Sequence, residues 1–160
     1  MENIKFEIEM ENGKVMKGEL YPEVAPITVE NFVKLIKDQF FDGLIFHRVI
    51  PGFMIQGGGY SVDMQQKECP SIKGEFASNG VDNSLIHTKG VLSMARTMVK
   101  DSASSQFFIM HDNAPHLDGD YAAFGKIIEG LEVVDEIATV PTGFQDCPKT
   151  PVVIKTMRLL

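Results

Sequence analysis

Arg48 is the side chain in this sequence whose setting best suits chemistry, because it interrupts a strand-like run of large apolar residues, LIFHRVI. Phe53, Met54 and Gln56 follow it within eight residues, across a Pro-Gly turn. An arginine on a strand commonly points to solvent, and this is the simplest interpretation of Arg48. However, a fixed guanidinium beside a Phe and Met surface can grip an apolar ring and donate hydrogen bonds to a neighbouring amide. The segment therefore predicts a binding site of that kind.

A second group of candidate residues lies in the segments SSQFFIM and APHLDGDY. Alternation along a strand places one of Phe107 and Phe108 toward the core and the other outward, and an outward Phe needs a cover or a ligand. His116, Leu117 and Tyr121 follow in a turn-rich stretch, where binding residues are often presented. Taken singly, each of these residues is more often structural than functional.

Other familiar chemical motifs are incomplete. The run from Gly52 to Gly57 has the first two glycines of a phosphate-binding loop, but glycines stand where Lys and Ser or Thr are required next. The acidic residues at 112, 118 and 120 lack the spacing of a calcium loop, and His111 and His116 are not the helical pair of a zinc protease. No nucleophile elbow is present. We expect neither a metal nor a cofactor.

Length and charge narrow the class of protein. With 160 residues the chain has the length of one domain, and we expect residues 1–160 to form it. The 15 basic and 22 acidic residues give a formal charge of −7, which argues against binding to nucleic acid through its phosphates. No segment has the length of a membrane span, so we expect no membrane association. A monomer is the default expectation.

The two cysteines and the first residues bear on the compartment. Cys69 and Cys147 lie far apart and belong to no C-x-x-C pair, so we expect two free thiols. The start, MENIKFEIEMENGK, lacks the basic and apolar regions of a secretory signal. Reduced thiols without such a signal predict a cytoplasmic protein.

Hydrophobic periodicity predicts a mainly β fold. Apolar residues alternate from Ile4 to Met10, and Asn12-Gly13 then suits a type I′ hairpin turn before the alternation resumes. Thr28 is the expected N-cap of a short amphipathic helix, and a second helical stripe begins at Leu131. The stretch from Gly57 to Asn83 reads as an extended loop. Some eight short strands and two helices predict a closed eight-stranded antiparallel β-barrel capped by two α-helices.

Several motifs together resemble the cyclophilin family of peptidyl-prolyl cis–trans isomerases: IFHRVIPGFMIQGG, HTKGVLSMAR, SSQFFIM, LDGDYAAFGKIIEG and VVDEI, in order along nearly the whole chain. The resemblance implies the same barrel and an enzyme that rotates X-Pro peptide bonds without covalent chemistry, metal or cofactor. It also implies that Arg48 is the catalytic arginine. The implied substrate-binding residues are Phe53, Met54, Gln56, Ala95, Arg96, Gln106, Phe108, His116, Leu117 and Tyr121.

Three of these positions depart from the common eukaryotic pattern, as in the compact bacterial branch: His116 replaces Trp, Tyr121 replaces His, and Arg96 replaces Asn. Because His lacks the indole surface and the fixed donor of Trp, we expect cyclosporin to bind with reduced affinity. The expected partners are proline-containing peptides and unfolded or flexible protein segments.

Two alternatives remain open at this point. One is a module that docks proline-containing loops without turnover, and Arg48 favours the enzyme over it. The other is a carrier barrel for a small apolar molecule. The 11 Phe and 9 Met residues favour a filled interior instead, because an eight-stranded barrel is only just wide enough for its own side chains.

Overall fold

The computed structural model describes residues 2–160, and in them the chain forms an eight-stranded antiparallel barrel with two helices, which confirms the predicted fold class. The strands are β1 (Ile4–Met10), β2 (Val15–Leu20), β3 (Leu44–Ile50), β4 (Met54–Ser61), β5 (Val91–Met94), β6 (Phe107–Met110), β7 (Ala123–Glu129) and β8 (Ile154–Leu159). The helices are α1 (Pro26–Lys37) and α2 (Leu131–Ala138).

The strands pair in the order β3-β4-β6-β5-β7-β2-β1-β8. The first and last strands of this order approach each other, because the Gly43 N–H donates to the Ile154 carbonyl at 2.8 Å and the Phe46 N–H donates to the Val152 carbonyl at 3.0 Å. These bonds nearly close the barrel. Neither helix in residues 2–160 has the length and apolar character needed to cross a bilayer.

Phenylalanine rings fill the barrel interior. Phe32 of α1 lies 5.0 Å from Phe124, 5.4 Å from Phe107 and 5.8 Å from Phe6, measured between ring centroids. All four rings are buried, and the edge-to-face arrangement of Phe32 with Phe6 and Phe107 is a favoured one for aromatic pairs. This packing argues against a carrier barrel, which needs room inside for its cargo.

The first hairpin is present, but its turn differs from the predicted type I′. That turn requires positive φ at both central residues, whereas only Gly13 has one, at 88°. The Gly13 N–H donates to the Met10 carbonyl at 2.9 Å, and the Met10 N–H donates to the Lys14 carbonyl at 2.8 Å. The chain thus closes the hairpin with a longer turn in which glycine alone takes the left-handed conformation.

Helix α1 begins earlier than predicted and is capped from elsewhere in the chain. Ala25 occupies the N-cap position and makes no side-chain hydrogen bond, so the prediction that Thr28 is the N-cap is wrong. Both the N–H and the hydroxyl of Thr28 donate to Oε1 of the buried Glu75, at 2.6 and 2.8 Å. A carboxylate 47 residues away therefore satisfies donors at the helix start.

Strand β4 continues through the glycine run that was predicted to begin a long loop. Residues 57–61 pair with β3, because glycines let neighbouring groups come closer than a side chain would allow. A Cβ on Gly57 would lie 2.8 Å from the Ile45 carbonyl oxygen, and one on Gly58 would lie 2.9 Å from the Phe107 ring. The irregular segment starts only after Ser61.

Candidate active site

Strand register aligns the principal candidate residues in one row across the outside of the barrel. Arg48 of β3 is opposite Gln56 of β4, Gln56 is opposite Phe108 of β6, and Phe108 is opposite Ser93 of β5. Residues opposite each other on paired strands share a face of the sheet. The same alternation directs Phe107 into the barrel core, so Phe108 is the outward ring.

A cleft of about 160 Å³ lies over this row. The buried side chains of Met54, Phe108 and Leu117 form its apolar part, and the Arg48 side chain is exposed at its edge. Nine of the eleven residues predicted for the site line it: Arg48, Phe53, Met54, Gln56, Ala95, Arg96, Phe108, Leu117 and Tyr121. An apolar pocket with a few converging polar groups is the usual form of a small binding site.

A chain of polar contacts runs along one side of the cleft. Nη1 of Arg48 donates to Oε1 of Gln56 over a long 3.5 Å, and Nε2 of Gln56 donates to Oε1 of Gln106 at 3.0 Å. Gln106 therefore reaches the site through Gln56, although it does not line the cleft. A Cβ on Gly59 would overlap the Gln106 side chain, so this glycine makes room for the chain of contacts.

His116, the second predicted residue that does not line the cleft, lies at its rim. Its exposed ring is 5.8 Å from the ring of Phe53 and tilted by 31°. An imidazole at this distance extends the aromatic rim by less surface than an indole would.

Arg96 is a fixed part of the cleft wall. Its Nε and Nη2 atoms donate to the Asp120 carbonyl at 3.0 and 2.7 Å, and the guanidinium lies 4.7 Å from the centroid of the Tyr121 ring. The preceding residue, Ala95, is fixed as well, because its N–H donates to the Gln106 carbonyl at 3.0 Å. Within residues 2–160, Arg48 by contrast makes one long side-chain hydrogen bond, which leaves most of its five N–H donors free.

His87, which was not among the predicted site residues, supports the floor of the cleft. Its ring stacks on Phe108 with a centroid distance of 6.1 Å. Nδ1 lies 2.9 Å from Oδ1 of Asp118, and Nε2 lies 2.9 Å from Oγ of Ser93. Burial lowers the pKa of His87 below its usual value, so the ring is neutral, with Nδ1–H donating to the carboxylate.

The residue types of this network are those of a Ser-His-Asp triad, but its geometry excludes that chemistry. Ser93 lies beside Phe108 on the neighbouring strand and is fully buried, so no substrate carbonyl can reach its hydroxyl. The network therefore holds Phe108 in place. The motif HTKGVLSMAR contained both His87 and Ser93, but their partner Asp118 is 31 residues from His87 and could not be paired with it from spacing.

His111 supports the turn that carries Phe53. The Gly52 N–H donates to Nδ1 of His111 at 2.8 Å, and the His111 N–H donates to the Phe53 carbonyl at 2.9 Å. Because Nδ1 accepts a hydrogen bond, the ring proton resides on Nε2, which lies 3.0 Å from Oδ1 of Asp135 on α2. The imidazole thus connects helix α2 to the rim of the cleft.

Residues 2–160 contain no cluster of three or more His, Cys, Asp or Glu side chains arranged to hold a metal ion. Two further concavities are larger than the cleft. One, of about 440 Å³, lies between α2 and the ends of β1 and the segment before β8, and the other, of about 930 Å³, adjoins Arg48. Size alone therefore does not identify the site, whereas the polar groups that converge on the small cleft do.

Residues 5–159 match the family model described as "Cyclophilin type peptidyl-prolyl cis-trans isomerase/CLD". A "Peptidyl-prolyl cis-trans isomerase" of Acinetobacter baylyi is 50% identical over 151 residues, covering 88% of this chain and 78% of that protein. The "Peptidyl-prolyl cis-trans isomerase B" of Escherichia coli is 41% identical over 149 residues, covering 86% and 88%.

Solved structures agree with the sequence relatives. A Cryptosporidium parvum cyclophilin-type isomerase superposes with a TM-score of 0.84 at 28% identity, covering 99% of this chain and 98% of that one. The same isomerase in the presence of the dipeptide Ala-Pro gives a TM-score of 0.82, covering 98% of both chains. With a family match that runs from β1 to β8, this chain belongs to the cyclophilin-type peptidyl-prolyl cis–trans isomerases.

Proposed function

We propose that this chain performs its family's reaction, rotation about X-Pro peptide bonds, in the cleft of about 160 Å³, with Arg48 as the catalytic residue. The observation that carries the proposal is the exposed Arg48 guanidinium at the edge of an apolar pocket formed by Met54, Phe108 and Leu117. A prolyl ring fits such a pocket, and its amide then lies beside the guanidinium.

The chemistry of the reaction explains why a cation with several donors suits it. The X-Pro bond rotates over a barrier of roughly 18–20 kcal/mol, because resonance gives it double-bond character. In the twisted state resonance is lost, and the prolyl nitrogen becomes pyramidal and accepts a hydrogen bond. The planar guanidinium of Arg48 carries several N–H donors and donates to that nitrogen or to the adjacent carbonyl region. No bond is made or broken, so the step requires no acid, base or cofactor.

Arg48 alone supplies only part of the acceleration. A hydrogen bond from a charged group contributes about 1.5–3 kcal/mol, whereas an acceleration of about 10⁵ needs roughly 7 kcal/mol. The remainder comes from holding the ring in the pocket while Gln56 and the backbone at Ala95 fix the flanking chain. The network behind Phe108 and the anchored Arg96 keep that setting rigid before substrate binds.

The test is the cis–trans exchange rate of an Ala-Pro-Phe peptide, measured by NMR with wild-type protein, Arg48→Ala and Arg48→Lys. We expect fast exchange with the wild type, near-background exchange with Arg48→Ala and a smaller loss of peptide binding. Arg48→Lys keeps the charge but not the planar set of donors, so it should remain well below wild type. Near wild-type exchange with Arg48→Ala would remove this residue from the mechanism. Binding without faster exchange in any variant would indicate a docking module instead.

The biological part of the proposal concerns substrates and setting. X-Pro isomerisation is slow enough to limit folding, so unfolded or flexible segments of other proteins are the expected substrates. Two unpaired cysteines support a reducing compartment such as the cytoplasm. We further propose that the protein is a monomer. We also propose that it binds cyclosporin weakly, because the imidazole of His116 gives the rim of the cleft little aromatic surface. The substrate class is tested by whether the protein accelerates the refolding of a protein whose folding is limited by proline isomerisation. Cell fractionation tests the compartment, and sedimentation tests the monomer.

A further inference from the structure

A large groove adjoins the cleft on the far side of Arg48. It has a volume of about 930 Å³ and is formed by β3, β4 and two loops, one after Ser61 and one at residues 143–149. Arg48 lines both this groove and the cleft. A chain that leaves the cleft past the guanidinium therefore enters the groove directly.

Two exposed apolar side chains stand on the loops that form the groove. Phe144 is 86% exposed and Met64 is 49% exposed, and both belong to the groove's lining. Large apolar side chains exposed together on adjoining loops are characteristic of a surface that binds a partner. In the cleft, by contrast, the apolar side chains are already buried against each other.

Hydrogen bonds fix the two loops that carry these side chains. The Gly143 N–H donates to the Cys147 carbonyl at 2.9 Å, and the Cys147 N–H donates to the Phe144 carbonyl at 3.2 Å. The Met64 N–H donates to the Ser61 carbonyl at 2.9 Å. Met64 has a φ of 60°, a left-handed conformation that is costly for a residue with a long side chain. The exposure of both residues is thus built into the fold.

The floor of the groove is aromatic and uncharged. The His47 ring lies 4.6 Å from the ring of Tyr60. Burial and the neighbouring Arg48 lower the pKa of His47 to about 4, so its imidazole is neutral near pH 7. The charges on the lining are Arg48, Lys149 and Asp146, an excess of one positive charge in a chain whose formal charge is −7. The groove therefore suits apolar polypeptide better than a cation.

We propose that this groove binds the segment of a substrate polypeptide that follows the proline, with a preference for large apolar side chains. The inference rests on the proposed function, because it takes the prolyl ring to occupy the cleft with its amide beside Arg48. The strand order places Arg48 of β3 and Ala95, which follows β5, at opposite ends of the cleft. In the binding mode that we propose, residues before the proline lie along Ala95, and the prolyl amide lies beside Arg48. The chain after the proline thus leaves at Arg48, where the groove begins.

Three peptides test this direction. The first is the core Ala-Ala-Pro-Ala, the second has Ala-Phe-Leu-Ala added after the core, and the third has the same four residues added before it. Affinity is measured by NMR titration, and turnover by exchange NMR, with the same protein samples. We expect the second peptide to bind at least about fivefold more tightly than the core, because it buries part of the Phe144 and Met64 surface. The third peptide should bind about as tightly as the core.

Two single variants and one control identify the surface responsible. Phe144→Ala and Met64→Ser should each remove most of the gain shown by the second peptide, while exchange of the core peptide stays within about twofold of wild type. Ile128→Ala is the matched control, because Ile128 is 46% exposed, close to the 49% of Met64, and lies on β7 outside the groove. This control should keep the full gain. Because Phe144 and Met64 are exposed, their truncation should leave the protein folded, which urea denaturation checks.

The outcomes separate this inference from the proposed function. Exchange of the core peptide without any gain from the second peptide would overturn the groove proposal and leave the isomerase intact. An equal gain from the third peptide, or a gain that survives both Phe144→Ala and Met64→Ser, would also overturn it. A gain in affinity that the two variants remove, in a protein that accelerates exchange of none of the peptides, would support the groove and overturn the isomerase site.

Discussion

Replacing His111 by Gln should loosen the turn that presents Phe53 to the cleft. The His111 ring makes two separable contacts, since Nδ1 accepts from the Gly52 N–H and Nε2 faces Asp135. A Gln side chain reaches the position of Nε2 but leaves the Gly52 N–H without an acceptor. An Asn side chain places its carbonyl oxygen near the position of Nδ1 and abandons Asp135. His111→Gln therefore keeps the contact to Asp135 and removes the one to Gly52, whereas His111→Asn does the reverse.

The size of the effect follows from the lost hydrogen bond. Gly52 is exposed, so water partly replaces the acceptor, and the net loss is about 0.5–1.5 kcal/mol. If the turn must be in place for Phe53 to hold the prolyl ring, kcat/KM falls roughly 2- to 12-fold. If Phe53 holds the ring in the ground state as well as in the twisted state, the change should lie mainly in KM. His111→Asn should stay within about twofold of wild type.

The assay is the concentration dependence of Ala-Pro-Phe exchange by NMR, together with urea denaturation of each variant. A purely structural role for His111 would reduce stability and leave the kinetics of the remaining folded protein unchanged. Equal loss of kcat/KM in His111→Gln and His111→Asn would refute the argument, because the Gly52 contact would then be irrelevant. A loss confined to kcat would refute the assignment to Phe53 positioning.

Three further predictions concern the cleft, its neighbouring histidine and its rim. Gly59→Ala should displace the Gln106 side chain, and the loss of about one neutral hydrogen bond should reduce kcat/KM for peptide exchange several-fold. The pKa of His47 is lowered to about 4, so the unfolded chain takes up the proton first, and stability present above about pH 6.5 should be lost progressively as the pH falls toward 4. At ~1.4 kcal/mol per pKa unit, reduced by solvent screening, the loss should be ~1–2 kcal/mol in urea denaturation and smaller in His47→Gln. His116→Trp should strengthen inhibition of exchange by cyclosporin at least several-fold, and unchanged inhibition would show that the rim does not limit drug binding.

Local patterns determined much of the fold from the sequence. Alternation of apolar residues marked β1, and helical spacing of Val29, Phe32 and Ile36 marked α1, because both periods follow directly from backbone geometry. The predictions failed where a distant residue intervened. Glu75 satisfies the donors of Thr28 in place of a local cap, and neighbouring backbone fills the space beside Gly57 where a side chain would otherwise lie.

The candidate site divides in the same way. The sequence singled out Arg48 and its neighbours from residue type and motif, and alternation alone required one of Phe107 and Phe108 to face outward. Which ring did so became visible in the register that sets Gln56 opposite Phe108. That assignment agrees with the one implied by the family motif, and the roles of the residues remain predictions.

What the sequence determined by itself was the class of fold, the family and the choice of Arg48 as the candidate catalytic side chain, because these depend on residue types at short spacings. What only the tertiary structure decided was the support of the site: Asp118 behind His87, Gly52 against His111, and the groove between the loops at Met64 and Phe144. These partners are separated by 31, 59 and about 80 residues along the chain. Contacts of that range leave no periodic trace in a sequence, since they exist only once the barrel has closed and its register is fixed.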